Sequence, residues 1–210
     1  MRFPSPRLPT IRHYSIGLLL LVIAGCSNVQ TTVTSFHQLS PSDIGSIRIA
    51  AGNDTVQGTL EFEHHQTVLA QHLEAQGFDV RGPDADTDYV AFLSYGIDGG
   101  RTEVSSQPTS SLGIGASRGR AGYRGGVYGS VDTTTSETLY SNTIALNIVE
   151  RASLATDQPK PIYEGRAKSS HRCKAITPIF DEMLTALFEN FPGVSGETQT
   201  IKVKSNGDSC

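Results

Sequence analysis

The sequence predicts an α+β fold, a two-layer sandwich in which two helices pack against one mixed or antiparallel sheet, with a long Gly-rich hairpin or loop. Three observations predict it. Short apolar segments typical of strands occur before and after each helical segment. Helical periodicity is confined to residues 60–76 and the segment from Thr177 to Phe188. Residues 99–130 contain nine glycines and little that could form a core. A length of 210 residues fits a single domain of this kind.

The first half of the chain reads as strand, strand, helix, strand, strand. Alternating, β-branched or continuously apolar residues predict these strands at residues 31–36, 46–50, 78–80 and 88–95. The helix at residues 60–76 has a narrow apolar stripe, which indicates packing on one side of a sheet. Gly77 is expected to end it because glycine adopts the left-handed conformation of a helix stop.

The Gly-rich residues 99–130 are expected to form either a long mobile loop or the tip of an extended hairpin. Strand character resumes at residues 131–150, and residues 162–167 are expected to pair with that strand after a turn at 153–161.

The second helix should begin with Thr177 as N-cap and Pro178 at the first helical position. Its apolar residues repeat at i, i+3 and i+4 spacing, and it should end at residues 191–193. The tail, residues 193–210, includes an alternating segment at 198–203 that suggests an edge strand.

Residues 1–25 have the organisation of a bacterial export signal. Arg2, Arg7 and Arg12 precede an apolar run at residues 16–25, with no acidic residue before Asp43. That run is too short for a bilayer span, which needs roughly 20 apolar residues.

The run ends at residues 22–26, which resemble the lipobox of bacterial lipoproteins: an aliphatic residue, small residues and then Cys26. The resemblance implies cleavage before Cys26 and acylation of that residue, including palmitate. Ser27 in place of aspartate favours the periplasmic face of the outer membrane. Ordinary signal cleavage beside a chance cysteine is the alternative. The expected organisation is a signal peptide at 1–25, a tether at 26–31 and one domain at 32–210.

Composition excludes several classes of protein. Hydrophobic residues make up 37% and charged residues 18%, which argues against a disordered polyelectrolyte or a multi-span membrane protein. Loss of the three signal arginines changes the formal net charge from −4 to −7. An acidic exported protein is not expected to bind nucleic acid.

Four sequence patterns could carry chemistry, but each has a simpler interpretation. Residues 115–119 match the G-x-S-x-G pattern around Ser117, yet no apolar strand precedes them and no helix follows. The acidic residues at 84, 86 and 88 lack the glycine and glutamate of a calcium loop. The spacing of His64, His65 and His72 does not suit a metal pair, and His171 with Cys173 gives only two ligands. We therefore expect no catalytic residue, no metal and no cofactor.

Residues 118–126 resemble an RGG segment. In an exported protein they could form a loop tip, contact lipopolysaccharide phosphate or anionic lipid, dock a protein or have no specific role.

Cys173 and Cys210 are the thiols that remain after acylation of Cys26. The periplasm is oxidising, so a bridge between them is possible. It would close a loop of about 38 residues and contribute roughly 4 kcal/mol on the chain-entropy model. Free thiols or an intermolecular bond are the alternative.

The chain resembles a bacterial lipoprotein family, domain of unknown function 4136, over roughly residues 30–192. The resemblance rests on the helix ending at Gly77, the acid-led strand from Asp88, the Gly-rich interruption, the hairpin segment 162–165 and the final amphipathic helix. Tyr163 stands where that family is expected to have tryptophan, and the tail after 193 is extra. The family has no established activity, so the resemblance implies no catalytic residue.

Together these patterns predict a lipid-anchored outer-membrane lipoprotein facing the periplasm. We expect a non-enzymatic binding or scaffold module in the cell envelope, with an unidentified envelope protein as partner. Two other functions stay open: an envelope hydrolase using Ser117, and a carrier of a small ligand or lipid with a cleft beneath the Gly-rich segment.

Overall fold

A computed structural model describes residues 28–40, 43–107, 133–156 and 158–205. These residues form eight strands and two α-helices. Seven of the strands and both helices follow the predicted order, and the additional strand lies within the predicted Gly-rich segment. Their bounds are β1 Asn28–His37, β2 Ser46–Ala51, α1 Leu60–Ala75, β3 Asp79–Arg81, β4 Tyr89–Ile97, β5 Arg101–Gln107, β6 Thr133–Glu150, β7 Pro161–His171, α2 Phe180–Phe188 and β8 Thr198–Lys204.

The strands form one mixed sheet in the order β3-β2-β4-β6-β7-β1-β8, and β5 pairs with β6 outside this path. β2 runs parallel to β3 and to β4, whereas the other pairs are antiparallel. Helix α1 supplies the crossover that parallel β2 and β3 require. The predicted α+β class is confirmed, and the sheet is open rather than closed into a barrel.

Strand direction defines two ends of the sheet. At the Asn28 end, β1 begins and β4, β7 and β8 end. At the His37 end, β1 ends and β2, β4 and β7 begin. Each helix follows a strand that finishes at the Asn28 end, β2 before α1 and β7 before α2. Both helices therefore start near the Asn28 end.

The core lies between the helices and one face of the sheet. Leu69 and Leu73 of α1 and Leu184 of α2 have no exposed surface, and neither do Ile47 and Ile144 of the strands. Burial of each such side chain contributes about 1.5–3 kcal/mol, so this shared layer holds the two helices on the sheet.

The surface of β1, β7 and β8 that faces away from the helices is called the open face. In β1, Val29, Thr31 and Val33 are buried, whereas the intervening Gln30 and Thr32 are exposed. Because successive side chains of a strand point to opposite faces, the exposed set lies away from the helices.

Helix α1 ends just before the predicted glycine and begins with an N-cap that was not predicted from the sequence. Thr59 is the N-cap, and its hydroxyl accepts a hydrogen bond of 3.1 Å from the Phe62 N–H. The helix ends at Ala75, and Gly77 has a φ of 96°, which confirms its role as the stop.

The predicted start of the second helix is wrong. Thr177 and Pro178 lie in a short 3₁₀ turn, Thr177–Ile179, and α2 begins at Phe180 without a side-chain cap. The Thr177 hydroxyl instead donates to Glu61 Oε1 of α1 at 2.7 Å. A contact between helices has replaced the local cap, which is why the local pattern misplaced the boundary.

The tether predicted at residues 26–31 also requires correction. Residues 28–31 form the first part of β1, Asn28 pairs with Lys204 of β8, and Thr31 pairs with both Ser169 of β7 and Ile201 of β8. Val29 is fully buried. The segment joins the sheet because β8 pairs with all four of its residues and β7 pairs with it at Thr31, which satisfies backbone hydrogen-bonding groups that a free linker would leave to water.

Part of the Gly-rich segment forms a hairpin arm. β5 pairs antiparallel with residues 133–139 of β6, from Arg101 opposite Leu139 to Gln107 opposite Thr133. The remainder of the predicted segment, residues 108–130, lies outside the described residues. The predicted edge strand in the tail is confirmed as β8, which pairs with β1.

Candidate functional site

The predicted lipidation residue, Cys26, lies outside the described residues, but the sheet begins two positions after it. Asn28 is the first residue of β1, and β1 lies between β7 and edge strand β8. An acyl group on Cys26 would therefore attach close to the Asn28 end of the sheet. Neither helix in the described ranges is both long and apolar enough to cross a bilayer.

Cys173 lies just after β7, with only 1% of its surface exposed. It is disulfide-bonded, and its sulfur lies 3.0 Å from Nδ1 of His171. Cys26 and Cys210 both lie outside the described residues, so the pairing of Cys173 with Cys210 stays a prediction.

The acidic turn before β4 makes structural contacts. The Asp88 carboxylate accepts hydrogen bonds from the Ser46 N–H at 2.9 Å and the Ser46 hydroxyl at 2.6 Å. These bonds lower the pKa of Asp88. Asp86 forms an ion pair with Arg151. These contacts tie the loop to β2 and to the segment after β6.

The three histidines of α1 occupy different environments. His64 is exposed, His72 is half-buried, and His65 is completely buried. The buried position of His65 was not predicted, since the sequence indicated ordinary surface or half-buried histidines. Within the described ranges, no group of three His, Cys, Asp or Glu side chains could hold a metal ion.

His65 is packed among aromatic rings. Its ring stacks on Phe180 with centroids 3.6 Å apart, and the Tyr95 ring lies perpendicular to it with centroids 4.8 Å apart. Neither ring nitrogen has a hydrogen-bond partner among the described residues, and the nearest carboxylate oxygen, on Glu61, is 3.6 Å from Nε2. Burial lowers the pKa of His65, while Glu61 partly opposes that shift. A neutral, aromatic-packed histidine of this kind supports the helix interface.

An apolar cleft of about 240 Å³ opens at the His37 end. It lies between the end of α1 and the loop after α2, and Leu39, Ile44, Phe78, Phe191 and Pro192 line it. Ile44, which is 46% exposed, forms part of the rim of the cleft. The sequence did not reveal this cleft, because its residues come from three separate segments: the connection between β1 and β2, the residues after α1 and the loop after α2.

Two other sequence candidates cannot be placed. Ser117 and the RGG segment at residues 118–126 both lie outside the described residues.

No family model matches the chain, and no curated protein matches it. Among solved structures, a PDZ domain protein from Parabacteroides distasonis ATCC 8503 is similar with a TM-score of 0.47 and 8% sequence identity. The match covers 85% of this chain and 40% of that chain. A similarity this low does not indicate a shared function. The resemblance to domain of unknown function 4136 stays a prediction.

Proposed function

We propose that this protein is a lipoprotein anchored through Cys26 to the periplasmic face of the outer membrane, where it acts as a non-enzymatic binding or scaffold module for another envelope protein. The observation that carries the proposal is the short distance in sequence between the lipobox-like Cys26 and the first residue of the sheet, Asn28. With only Ser27 between them, anchoring would hold the folded domain at the membrane surface.

The apolar cleft supports the binding role. β1 spans ten residues, which corresponds to about 30 Å of strand between the Asn28 end and the His37 end. A domain anchored near Asn28 would keep the cleft at the His37 end away from the anchor. Exposed Ile44, beside the buried Phe78, offers a partner an apolar contact with a preformed surface.

Metabolic labelling with palmitate tests the anchor. The wild-type protein should incorporate label and fractionate with outer membranes, whereas Cys26→Ala should incorporate none. Ser27→Ala is a matched control that should still be labelled. Unlabelled wild-type protein would overturn the anchoring.

Site-specific photo-cross-linking in intact cells tests the binding role. A photoreactive residue at Ile44 should give one discrete product that the Cys26→Ala variant loses. The same residue at Thr200, exposed on β8, is the control and should not give that product. Identical products at the two positions, or none at Ile44, would contradict docking at the cleft. An esterase activity that Ser117→Ala abolishes would instead support the hydrolase.

A further inference from the structure

The cations of the described chain fall into two groups. Of its eleven Lys and Arg residues, five form ion pairs with acidic side chains, and Arg48 donates to the Pro83 carbonyl. The other five have no ion pair within the described ranges. These are Arg166, Lys168, Lys174, Lys202 and Lys204.

The five unpaired cations lie in one region. Arg166 and Lys168 belong to β7, Lys174 follows β7, and Lys202 and Lys204 belong to β8. These two strands flank β1, the strand that begins two residues after Cys26.

Four of these side chains share the open face. Arg166 and Lys168 of β7 lie opposite Thr34 and Thr32 of β1, on the same face as the exposed Gln30. Lys202 and Lys204 of β8 lie opposite Gln30 and Asn28 on that face. They form a basic strip, defined here as Arg166, Lys168, Lys202 and Lys204, about 10 Å wide across β1.

Among the residues that the structure describes, the neighbours of the basic strip are almost all uncharged. Between its members lie hydroxyl and amide side chains of β1 and β8, such as Gln30, Thr32 and Thr200. The described residues of β1, β7 and β8 include a single acidic side chain, Glu164, which lies near the His37 end. The strip therefore keeps its positive charge exposed to solvent.

The helix layer has the opposite charge. α1 and α2 contain acidic residues but neither Lys nor Arg. Their acids are Glu61, Glu63, Glu74, Asp181 and Glu182. The domain thus has an acidic helix side and a basic open face, although the whole chain is acidic.

We propose that the open face of β7, β1 and β8 lies against the anionic phospholipid headgroups of the bilayer that holds the acyl chains. The proposal rests on the anchoring proposed above, because Cys26 would hold this face within reach of the headgroups. Phosphate groups attract Lys and Arg near a membrane surface, and the acidic helices are repelled from it. The domain would then lie on its sheet, with the helices and the rim of the cleft directed away from the lipid.

Lysine labelling on vesicles tests this orientation. The acylated protein is reconstituted in phosphatidylcholine vesicles and in vesicles with about one third phosphatidylglycerol. The rate of amine modification is then measured for each lysine by mass spectrometry. Lys168, Lys202 and Lys204 should react several-fold more slowly on the anionic vesicles, and Lys160, beyond the strip, should not change. At about 1 M salt, where the Debye length is about 3 Å, the protection should disappear.

Charge-swap variants provide the matched comparison. Lys202→Glu with Lys204→Glu should abolish the protection of Lys168. Arg81→Glu with Lys160→Glu changes the net charge equally but lies outside the strip, so it should keep that protection. These two substitutions break the Arg81–Asp79 and Lys160–Glu150 ion pairs, which are exposed and contribute little to stability. Equal lysine rates on both kinds of vesicle, or loss of protection in both variants, would overturn the orientation.

The two proposals fail in different ways. Protein that does not float with phosphatidylcholine vesicles lacks a working anchor. That protein is then mixed with anionic vesicles at low salt. If the wild-type protein binds these vesicles and the Lys202→Glu, Lys204→Glu variant does not, the result would still support contact between the open face and lipid. If the wild-type protein does not bind them, that contact is excluded.

Discussion

His65 of α1 stacks on Phe180 of α2, with ring centroids 3.6 Å apart and ring planes 16° apart. A second pair, His72 and Phe188, stacks at 5.0 Å and 17°. The pairs are separated by seven residues on α1 and eight on α2, about two turns of each helix. The two helices therefore run side by side in the same direction, joined by two histidine–phenylalanine contacts.

The first prediction concerns the pH dependence of this interface. Burial lowers the pKa of His65 below its usual 6.5, so the unfolded chain binds a proton that the native state excludes. The free energy of unfolding should therefore be maximal above about pH 6.5 and fall as the pH drops through the native pKa. One such group contributes a slope of at most about 1.4 kcal/mol per pH unit.

Denaturant unfolding between pH 7.5 and pH 5 measures this slope. His65→Phe keeps an aromatic ring on Phe180 and should flatten the dependence, with the remainder coming from His72, whose pKa is also lowered by burial. The charged neighbours are Glu61, His64 and Asp181. The exposed His64→Gln variant should keep most of the slope. An equal slope in wild type and His65→Phe would contradict the assignment.

A second prediction concerns the close contact between Gly165 and Tyr163 in β7. A β-carbon at Gly165 would lie 2.5 Å from the Tyr163 hydroxyl oxygen. Tyr163 is 1% exposed and cannot move aside without disturbing the core. Gly165→Ala should lower the free energy of unfolding by about 1–3 kcal/mol.

Gly96 of β4 is the matched control, because no described atom beyond its two chain neighbours lies within 4 Å of the β-carbon it would gain. Gly96→Ala should leave the free energy unchanged or raise it by up to about 1 kcal/mol. Urea denaturation of both variants makes the comparison, and equal effects would rule out the steric explanation.

Asp88 gives the third prediction. The Ser46 hydrogen bonds lower its pKa from 3.8, so its contribution to stability is present above about pH 3.8 and is lost as the pH falls through the native pKa. Asp88→Asn removes the charge and the titration. Wild type should be more stable than Asp88→Asn at pH 6, and the difference should shrink below pH 3.8 in acid denaturation. A difference that stays constant with pH would refute this.

The fourth prediction concerns the partner of Cys173. Non-reducing peptide mapping of the exported protein should give one linked pair, Cys173 with Cys210. Cys210→Ser should lower the free energy of unfolding by up to about 4 kcal/mol, because the bridge constrains the unfolded chain. Two free thiols, or Cys173 linked elsewhere, would disprove the pairing. Reduction of the wild type should reproduce the effect of Cys210→Ser.

Local sequence was sufficient where one segment contains the whole signal. Gly77 ends α1 because only glycine adopts its φ of 96° without strain, and this can be read from one residue and its context. The alternating tail forms β8 because a strand with one buried side has a period of two. Strand order in the chain and the α+β class follow from the same local periodicities.

Local sequence was insufficient where residues distant in the chain supply the hydrogen-bond partners or the packing of a side chain. Thr177 looked like a cap but bonds Glu61, which is 116 residues away. Residues 28–31 looked like a linker but pair with β8, and β7 joins them at Thr31. His65 has a polar side chain on a helix, and only the packing of Phe180 and Tyr95 removes it from water.

The sequence by itself determined the fold class, the order of the elements and the prediction of an export signal with an acylated Cys26. These depend on the period of apolar residues and on short motifs, which are properties of contiguous chain. Only the tertiary structure decided which strands flank β1, where the apolar cleft opens and how charge divides between the open face and the helix layer. Those properties arise when segments far apart in the chain become neighbours, and their contact energies have no counterpart in any one segment.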